Sequence, residues 1–263
     1  MSFYNIRIMS LKFSIITPSF NQGQFIEETI RSVQNQTYKN FEHIVIDGGS
    51  TDNTLEILKK YTGKIKWISE KDKGQSDAIN KGFKMAKGDI LTWLNSDDYY
   101  PPYTLEKVAD FFLKNKNAFW LSGDYIVVDK NGKEIHSFVR LYKKILRLIP
   151  YDKTLFIANF INQPSTFFKK EVINKIGLLD INLRYEMDYE YWLRMIKNGF
   201  KNYYINIPLS YFRVHSSSKG GAEFEKQFDE EIKVAKKYCK NRFLINLHKL
   251  HNKMIVGIYK LIK

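Results

Sequence analysis

The first half of the chain alternates short β-prone segments with helix-like segments, and this alternation restricts the fold more than any other feature. Apolar strand-like runs occupy residues 13–17, 41–47, 64–69 and 89–94, and polar turns and amphipathic stretches separate them. Such β-α-β units form right-handed crossovers, which place helices on the faces of a parallel sheet. The sequence therefore predicts an α/β fold with a Rossmann-like, mostly parallel central sheet.

Polar and acidic residues follow two of these predicted strands. Asp47 ends the second strand, and Asn95, Ser96, Asp97 and Asp98 follow the fourth. Ligands of open α/β sheets bind outside the carboxyl ends of the strands. Carboxylates at that place suit Mg²⁺ or Mn²⁺, which also hold substrate phosphates. A lone Asp-Asp pair is otherwise typical of an acidic turn before a helix, so the surrounding motifs decide between the two interpretations.

The alternation ends near residue 122, and the second half of the chain is less regular. Asn131-Gly132 lies between two strand-like runs, 121–128 and 134–139, and Asn-Gly in this place is a strong β-hairpin signal. Further predicted segments are strands at 165–168, 202–206 and 209–214, a helix at 187–198 and a basic amphipathic stretch at 140–149.

Composition restricts the compartment and the partners. The only cysteine, Cys239, excludes an intramolecular disulfide and predicts a reducing, cytoplasmic location. No apolar run reaches the roughly 18 residues of a membrane span, and the N-terminus lacks a signal-peptide pattern. The net charge of +14 predicts an anionic partner, either a nucleotide, a nucleic acid or a membrane surface. Nucleic acid is not expected, because helix-turn-helix, zinc and RNP patterns are missing.

A helical extension, residues 222–263, is predicted to follow the α/β domain, residues 1–221. Residues 232–263 contain nine Lys or Arg and no Asp or Glu. Apolar residues recur there at spacings of three and four, namely Phe243, Leu247, Leu250, Met254, Ile258 and Leu261. Two interpretations stay open: a helix that lies on an anionic membrane surface, and an amphipathic helix that packs on the domain or on a second copy in a homo-oligomer.

Several motifs stand in the order found in family 2 glycosyltransferases. Residues 13–54, 74–100 and 161–180, together with 185–195, carry the resemblance, which covers roughly residues 12 to 216. The sequence most resembles cytoplasmic bacterial members that build surface polysaccharides. The resemblance implies the GT-A fold and the transfer of a sugar from a nucleotide diphosphate sugar to a hydroxyl, with inversion at the anomeric carbon.

The resemblance also implies where the donor nucleotide binds. The expected contacts are Thr17, Pro18, Ser19, Phe20, Asp47, Lys73 and Asp77. Asp47 would accept a hydrogen bond from a base imide N–H, and Phe20 would offer an aromatic face where the family often has Tyr. A structural role as a helix N-terminal acid is the alternative for Asp47. For Lys73 and Asp77 structural and binding roles are equally open.

Asn95-Ser96-Asp97 stands at the DxD position of the family, with Asn95 in place of the first Asp. Asp97 is the expected metal ligand, and His215 is expected to complete the site. Mn²⁺ is favoured over Mg²⁺ because imidazole is the poorer ligand for Mg²⁺. Residues 216–221 are expected to form a mobile lid.

The resemblance places the general base at Asp188, where a near-normal pKa would keep the carboxyl ionised at pH 7. Glu186 and Glu190 are the alternatives, and Glu190 is expected to face elsewhere on the helix. Gln163 and Glu186 are expected to line the donor-sugar or acceptor pocket.

The implied activity is transfer from a UDP-sugar to a lipid-linked or growing surface glycan. Transfer of one sugar per cycle is expected, because the QxxRW motif of processive members is missing. Residues 140–147 and the extension would hold the enzyme at the inner membrane face. A non-catalytic, sugar-nucleotide-binding subunit remains the alternative. A nucleotidyltransferase is disfavoured, because residues 18–24 hold one Gly and no Lys or Arg.

Overall fold

A seven-stranded sheet forms the centre of the structure, a computed structural model that describes residues 10–135, 137–146, 151–215 and 224–262. Its strands are β1 (Phe13–Ser19), β2 (Phe41–Asp47), β3 (Lys66–Ser69), β4 (Ile90–Trp93), β5 (Trp120–Val128), β6 (Thr166–Lys169) and β7 (Asn202–Arg213). Their order is β3-β2-β1-β4-β6-β5-β7, and each neighbouring pair is parallel except the two made by β6. The prediction of a mostly parallel α/β sheet is confirmed.

Ten α-helices are described around this sheet. They are α1 (Ile26–Gln34), α2 (Thr54–Lys60), α3 (Gln75–Met85), α4 (Thr104–Lys114), α5 (Ser137–Leu146), α6 (Tyr151–Leu155), α7 (Lys170–Ile176), α8 (Met187–Lys197), α9 (Phe224–Tyr238) and α10 (Arg242–Ile262). Successive residues of a strand face opposite sides of the sheet. Accordingly Ile16 packs with α3 and α8, whereas Ile15 packs with α1 and α4. Both faces of the sheet are therefore covered, which explains the near-continuous apolar strands.

Three tryptophans fix α8 on the sheet. The Trp192 ring stacks on Trp93 of β4 at 5.5 Å and on Trp120 of β5 at 5.4 Å between ring centroids, and all three side chains are fully buried. Large aromatic side chains dominate core energetics because each buries so much area. Trp192 lies one helical turn after the start of α8, so this stack places the N-terminus of α8 near the end of β4.

The predicted hairpin forms only in part. The turn is present, with Gly132 at φ +83°, but the pairing ends after the Val128–Glu134 bridge and one further bond from Ile135 N–H to the Val127 carbonyl. The second strand, predicted at 134–139, is wrong, because α5 begins at Ser137. β6 pairs only with residues 120–122 of β5, so strand pairing by β6 does not exclude a hairpin. Instead, Arg140 of α5 pairs with the buried Asp124 of β5 at 2.8 Å and holds α5 against that strand.

The strands predicted at 202–206 and 209–214 are one strand, β7, whose register with β5 shifts on both sides of Asp124. The predicted helix at 187–198 matches α8. The basic stretch at 140–149 is helical up to Leu146, and residues 147–149 lie outside the described residues.

The C-terminal segment consists of two helices in place of the continuous helix that was predicted. The Asn241 side chain accepts the backbone N–H of Phe243 at 2.9 Å and so begins α10 anew after α9. α9 packs on α8, and Val234, Ala235 and Cys239 are buried in the core that contains the tryptophan stack. Within the described ranges, every helix is too short or too polar to cross a membrane.

Candidate active site

Asp47 lies fully buried at the carboxyl end of β2. Its carboxylate accepts hydrogen bonds from the N–H groups of Gly49 (3.1 Å) and Ser50 (2.9 Å) and from the hydroxyls of Ser50 and Ser69. The bonds from Gly49 and Ser50 fix the turn after β2. The bond from Ser69 joins the end of β2 to the end of β3. The Asp47 carboxylate is thus held by its own loop, and its contact with a nucleotide base stays a prediction.

The end of β1 offers an exposed ring and a buried hydroxyl. Phe20 is 60% exposed, and the Ser19 Oγ is buried without a hydrogen-bond partner in the described residues. Thr17 and Pro18 lie inside the strand, and the Thr17 hydroxyl is 2.8 Å from His43 Nε2. A buried polar atom without a partner is costly unless a ligand or water satisfies it. Ser19 and Phe20 therefore form the part of this segment that is open to a ligand.

Lys73 lies in the loop between β3 and α3, and Asp77 lies in the first turn of α3. The Asp77 carboxylate accepts the Lys73 N–H at 3.1 Å, and the Lys73 side chain is exposed. Asp72, which the sequence analysis did not select, places its carboxylate beside Gly48: a Cβ on Gly48 would lie 2.7 Å from Asp72 Oδ2. A glycine can indicate that another group approaches the backbone closely. Gly48, directly after Asp47, was therefore the signal for the approach of the Asp72 carboxylate.

Asn95 connects the polar turn after β4 with two other segments. Its side-chain oxygen accepts a bond from Gln75 Nε2 at 2.7 Å, and its side-chain nitrogen lies 3.1 Å from Asp98 Oδ2 and 3.3 Å from Gln163 Oε1. Gln163 in turn donates to the Trp93 carbonyl at 2.6 Å. The structure thus brings Asn95 and Gln163 together, and the Ser96 side chain beside them is buried.

Asp97 and His215 meet across the end of the sheet. The His215 Nε2 lies 3.0 Å from Asp97 Oδ2, and the His215 ring packs against Phe25 at 4.7 Å. Two ligand atoms in adjacent positions of an octahedral ion, each about 2.1 Å from it, lie about 3.0 Å apart. The pair therefore fits a Mn²⁺ or Mg²⁺ ion. No cluster of three or more His, Cys, Asp or Glu suited to a metal occurs in the residues that the structure describes.

Arg213 and Asp98 fix the turn that carries Asp97. Asp98 Oδ1 accepts the Arg213 backbone N–H at 2.9 Å, while the Arg213 guanidinium donates to the Asp97 carbonyl at 2.9 Å and pairs with Glu28. Burial, with the Asp97 charge second, raises the pKa of Asp98 well above its usual value. Asp98 thus orients the turn. Arg213 was not predicted for this role, although its place two residues before His215 was a signal.

Asp188 lies at the start of α8, beside the same polar turn. Gln75 bonds Asn95, and the next residue, Ser76, has its hydroxyl 2.8 Å from the Met187 sulfur. These two consecutive residues of α3 therefore join the β4 turn to the residue before Asp188. The general base predicted from the sequence is thus placed at the edge of the sheet that also carries Asp97 and His215.

Burial raises the pKa of Asp188 to about 6, whereas the hydrogen bond from the Tyr189 N–H (2.7 Å) and the charge of Lys143 lower it. The near-normal pKa expected from the sequence is therefore wrong for this environment. The carboxylate is still mostly ionised at pH 7. Lys143 of α5 was not selected from the sequence, because nothing in its local pattern links α5 to α8.

The two alternative bases have structural partners. Glu190 is buried against Arg194 (2.8 Å) and the Tyr238 hydroxyl, so it faces away from the cleft as expected. Glu186 is 1% exposed and accepts a bond from Gln227 Nε2 at 2.8 Å. Burial, and then the charge of Glu231, raises the pKa of Glu186 well above its usual value. Because Glu186 and Glu190 both bond to side chains of α9, Asp188 remains the candidate base.

Helix α9 holds the segment that leads into α8. The Glu230 carboxylate accepts the backbone N–H groups of Arg184 (3.1 Å), Tyr185 (2.6 Å) and Glu186 (2.8 Å). These N–H groups belong to the N-cap residue Glu186 and the two residues before it, and a carboxylate near a helix N-terminus also interacts favourably with the helix dipole. Glu230 therefore fixes the backbone immediately before Asp188.

The family model described as Glycosyl transferase family 2 matches residues 14–177 of the chain. The chain belongs to this family. The family predicted from the sequence motifs is thereby confirmed. TuaG of Bacillus subtilis, named for teichuronic acid biosynthesis, is a glycosyltransferase 30% identical over 209 residues, which are 78% of this chain and 80% of TuaG. An uncharacterized glycosyltransferase of Rickettsia typhi is 34% identical over 192 residues, 70% of this chain but only 58% of that protein.

Solved structures confirm the GT-A fold expected of a family 2 glycosyltransferase. The mannosyltransferase PcManGT from Pyrobaculum calidifontis, in complex with GDP-Man and Mn²⁺, has a TM-score of 0.72 at 16% identity and covers 94% of this chain and 70% of its own. S. aureus TarS 1-349, in complex with UDP-GlcNAc, has a TM-score of 0.65 at 20% identity and covers 85% of this chain and 65% of its own. At these identities the likeness supports the fold alone.

Proposed function

We propose that this family 2 glycosyltransferase moves a sugar, with inversion, from a nucleotide diphosphate sugar to a hydroxyl of a lipid-linked or growing surface glycan. The observation that carries the proposal is the pairing of Asp97 with His215 at 3.0 Å at one sheet edge, which Gln75 and Ser76 of α3 connect to the start of α8, where Asp188 lies. This arrangement supplies a site for the diphosphate on one side and a base on the other.

The donor nucleotide would lie across the ends of β1 and β2. The exposed Phe20 ring offers a face for the base, and the buried Ser19 Oγ offers a polar atom that lacks a partner. Asp47, Asp72, Lys73 and Asp77 surround the same end of the sheet. A UDP-sugar is the first choice of donor. The TarS complex with UDP-GlcNAc and the PcManGT complex with GDP-Man support the general class, a nucleotide diphosphate sugar.

Asp97 and His215 would hold a divalent cation, Mn²⁺ as the first choice and Mg²⁺ as the second. When bound, the cation would neutralise the charge that develops on the departing diphosphate. Arg213 and Asp98 would keep Asp97 in place through the turn that they fix. Asn95 lacks the charge of the usual first Asp, and its bonds to Gln75 and Gln163 would orient the pocket in place of a metal contact.

Asp188 would act on the acceptor. Its carboxylate takes the proton from the attacking hydroxyl, the hydroxyl oxygen forms a bond to the anomeric carbon, and the bond from that carbon to the diphosphate oxygen breaks. Attack from the side opposite the leaving group inverts the anomeric carbon. A base with a pKa of about 6 is well matched to reaction near pH 7.

The test is donor binding and donor hydrolysis over a panel of UDP-, GDP- and TDP-sugars, with Mn²⁺ or with EDTA. We expect one donor to bind with Mn²⁺ and to bind at least about tenfold more weakly with EDTA. Asp97→Asn should abolish this metal dependence, whereas Asp188→Asn should bind the donor and fail to turn it over. Asp110→Asn, which changes an exposed acid of α4, is the matched control and should behave as the wild type.

The alternative function, a sugar-nucleotide-binding subunit without catalysis, predicts a different result. A donor would then bind, and the wild type would be as inert as Asp188→Asn with every acceptor extract supplied. Failure of all sugar nucleotides to bind would contradict both functions.

A further inference from the structure

The outer sides of α5 and α10 expose an unusual amount of apolar surface. Nine large apolar side chains stand exposed among the described residues, and five of them lie on these two helices. The five are Leu141 (60%), Ile145 (53%), Phe243 (68%), Leu250 (64%) and Met254 (52%). Scattered exposed apolar residues need no explanation, but a concentration on two helices out of ten does.

On α10 these residues form a stripe opposite the buried face. Ile245, His248 and Asn252 are buried, and at 100° per residue Phe243, Leu250 and Met254 fall on the far side of the helix. The same geometry places Arg242, Lys249 and Lys253 in a second stripe beside the first, and all three are exposed. The inner face of α10 is therefore occupied by the protein, while its outer face is both apolar and basic.

Helix α5 extends this surface. The Tyr142 ring of α5 stacks on His251 of α10 at 6.0 Å between centroids, so the two helices lie side by side. Arg140 of α5 turns inward to pair with the buried Asp124 at 2.8 Å. Leu141 and Ile145 lie on the opposite, outer side of α5, and they continue the apolar stripe of α10. We call the outer sides of the two helices, from Leu141 to Ile145 and from Arg242 to Met254, the docking face.

Charge identifies the occupant. Neither α5 nor α10 contains an Asp or Glu, and Lys144, Arg242, Lys249 and Lys253 are exposed on them. Exposed Phe, Leu and Met beside Lys and Arg are typical of helices that lie in the interface of an anionic bilayer. A nucleic acid would leave the apolar stripe without a role, and a neutral surface would leave the basic stripe without one.

The docking face is also close to the candidate base. Lys143, which lowers the pKa of Asp188, is on the same helix as Leu141 and Ile145. At 100° per residue Lys143 lies on the side of α5 opposite Leu141 and Ile145, so one helix, about 10 Å across, would separate the bilayer from the cleft that holds Asp188.

We propose that the docking face binds the surface of an anionic lipid bilayer and so presents a lipid-linked acceptor to Asp188. The binding of the bilayer stands on the surface alone, whereas the presentation of the acceptor rests on the proposed function.

The test is co-sedimentation of the full chain with vesicles of phosphatidylcholine alone and of phosphatidylcholine mixed with phosphatidylglycerol. We expect binding to the anionic vesicles, weakened by high salt, and little binding to the neutral ones. The double variant Lys249→Gln with Leu250→Ser, the α10 variant, should weaken binding by about tenfold, because it removes one basic and one apolar side chain from the two stripes. The matched control is Leu113→Ser with Lys114→Gln, the same pair of changes on exposed α4, which should bind as the wild type.

Three outcomes would overturn the docking face: equal binding to both kinds of vesicle, no binding to either, or equal losses in the two double variants. A chain that is dimeric, binds no vesicles and becomes monomeric in the α10 variant would assign the face to a second copy instead.

Donor hydrolysis without acceptor separates this proposal from the proposed function. It should be unchanged in the α10 variant, since the changed residues lie outside the donor site. Vesicle binding without any donor turnover would contradict the transferase alone, and donor turnover without vesicle binding would contradict the docking face alone.

Discussion

Asp188 carries a charge that its surroundings oppose, so the side chain proposed for the chemistry should also lower stability. Its pKa is about 6 in the folded protein against 3.8 when unperturbed. Near pH 4 the folded carboxyl is protonated and little stability is lost, whereas above pH 6 the carboxyl is charged in both states and the burial penalty is complete. We expect Asp188→Asn to raise the free energy of unfolding by about 1–2 kcal/mol at pH 8 and by much less near pH 4.

Urea unfolding at the two pH values measures this difference, with Asp110→Asn as the exposed control. A gain of the same size at both pH values would mean that the substitution acts through packing and not through the charge.

Lys143 tunes the same carboxyl from a neighbouring helix. Its positive charge favours the ionised form of Asp188 and lowers the pKa. Lys143→Gln should therefore raise that pKa and move the acidic limb of the kcat–pH profile to higher pH. Lys144→Gln changes the adjacent exposed lysine and should leave the limb in place. The expectation fails if both variants give the wild-type profile or if both shift it equally.

At the scale of elements, α9 holds the start of α8 in position through Glu230. Glu230→Gln keeps the size of the side chain but loses the charge and turns one acceptor oxygen into an amide donor that faces backbone N–H groups. We expect kcat to fall about ten- to a hundredfold, because the backbone before Asp188 loses at least one of its three bonds and the new amide N–H groups face its donors. The donor KM should stay close to that of the wild type, because the donor residues lie on β1 to β4.

Asp229→Asn is the control for this experiment, since it removes an exposed acid from the adjacent position. Equal losses in kcat and in donor affinity, together with a lower Tm, would mean that Glu230 supports the whole fold and does not specifically position Asp188.

Elements with a strong internal pattern were predictable, and elements decided by their neighbours were not. β1, β2 and β4 are apolar because helices cover both faces, and that composition is visible in the sequence. The segment at 134–139 has β-prone residues after a good turn, yet α5 begins at Ser137 and is held against β5 by the pair of Arg140 with Asp124. This contact joins residues 16 positions apart and has no local signal, so tertiary structure overrides propensity there.

For the candidate active site too, residues with a local motif were predictable and residues that act through distant contacts were not. Asp97, His215 and Asp188 were selected from motifs; the structure pairs Asp97 with His215 and links the start of α8 to the same polar turn through Gln75 and Ser76, while their roles stay predictions. Arg213, Asp72, Lys143 and Glu230 were missed. Each of them acts across a long sequence separation, such as the Arg213 bond to Asp98, 115 residues away. The sequence predicts which side chains do chemistry better than it predicts which side chains hold or tune them.

The boundary between residues 1–221 and 222–263, predicted from composition, is the property of the whole molecule most open to a direct test. Val234, Ala235 and Cys239 of the extension are buried in the core that holds Trp192, and Glu230 caps the segment before α8. Burial of one Val side chain contributes about 1.5–3 kcal/mol. The whole free energy of unfolding of a domain is only about 5–15 kcal/mol. Deletion of residues 224–263 should therefore abolish cooperative thermal unfolding and donor hydrolysis together.

Lys249→Gln with Leu250→Ser is the control for the deletion, because it should lose vesicle binding while the Tm stays near that of the wild type. The two results together would mean that the extension belongs to the catalytic fold and that only its outer side serves the membrane. A shortened chain that unfolds with the wild-type Tm and still hydrolyses donor would instead support the boundary at 221, and α9 would then be an accessory helix.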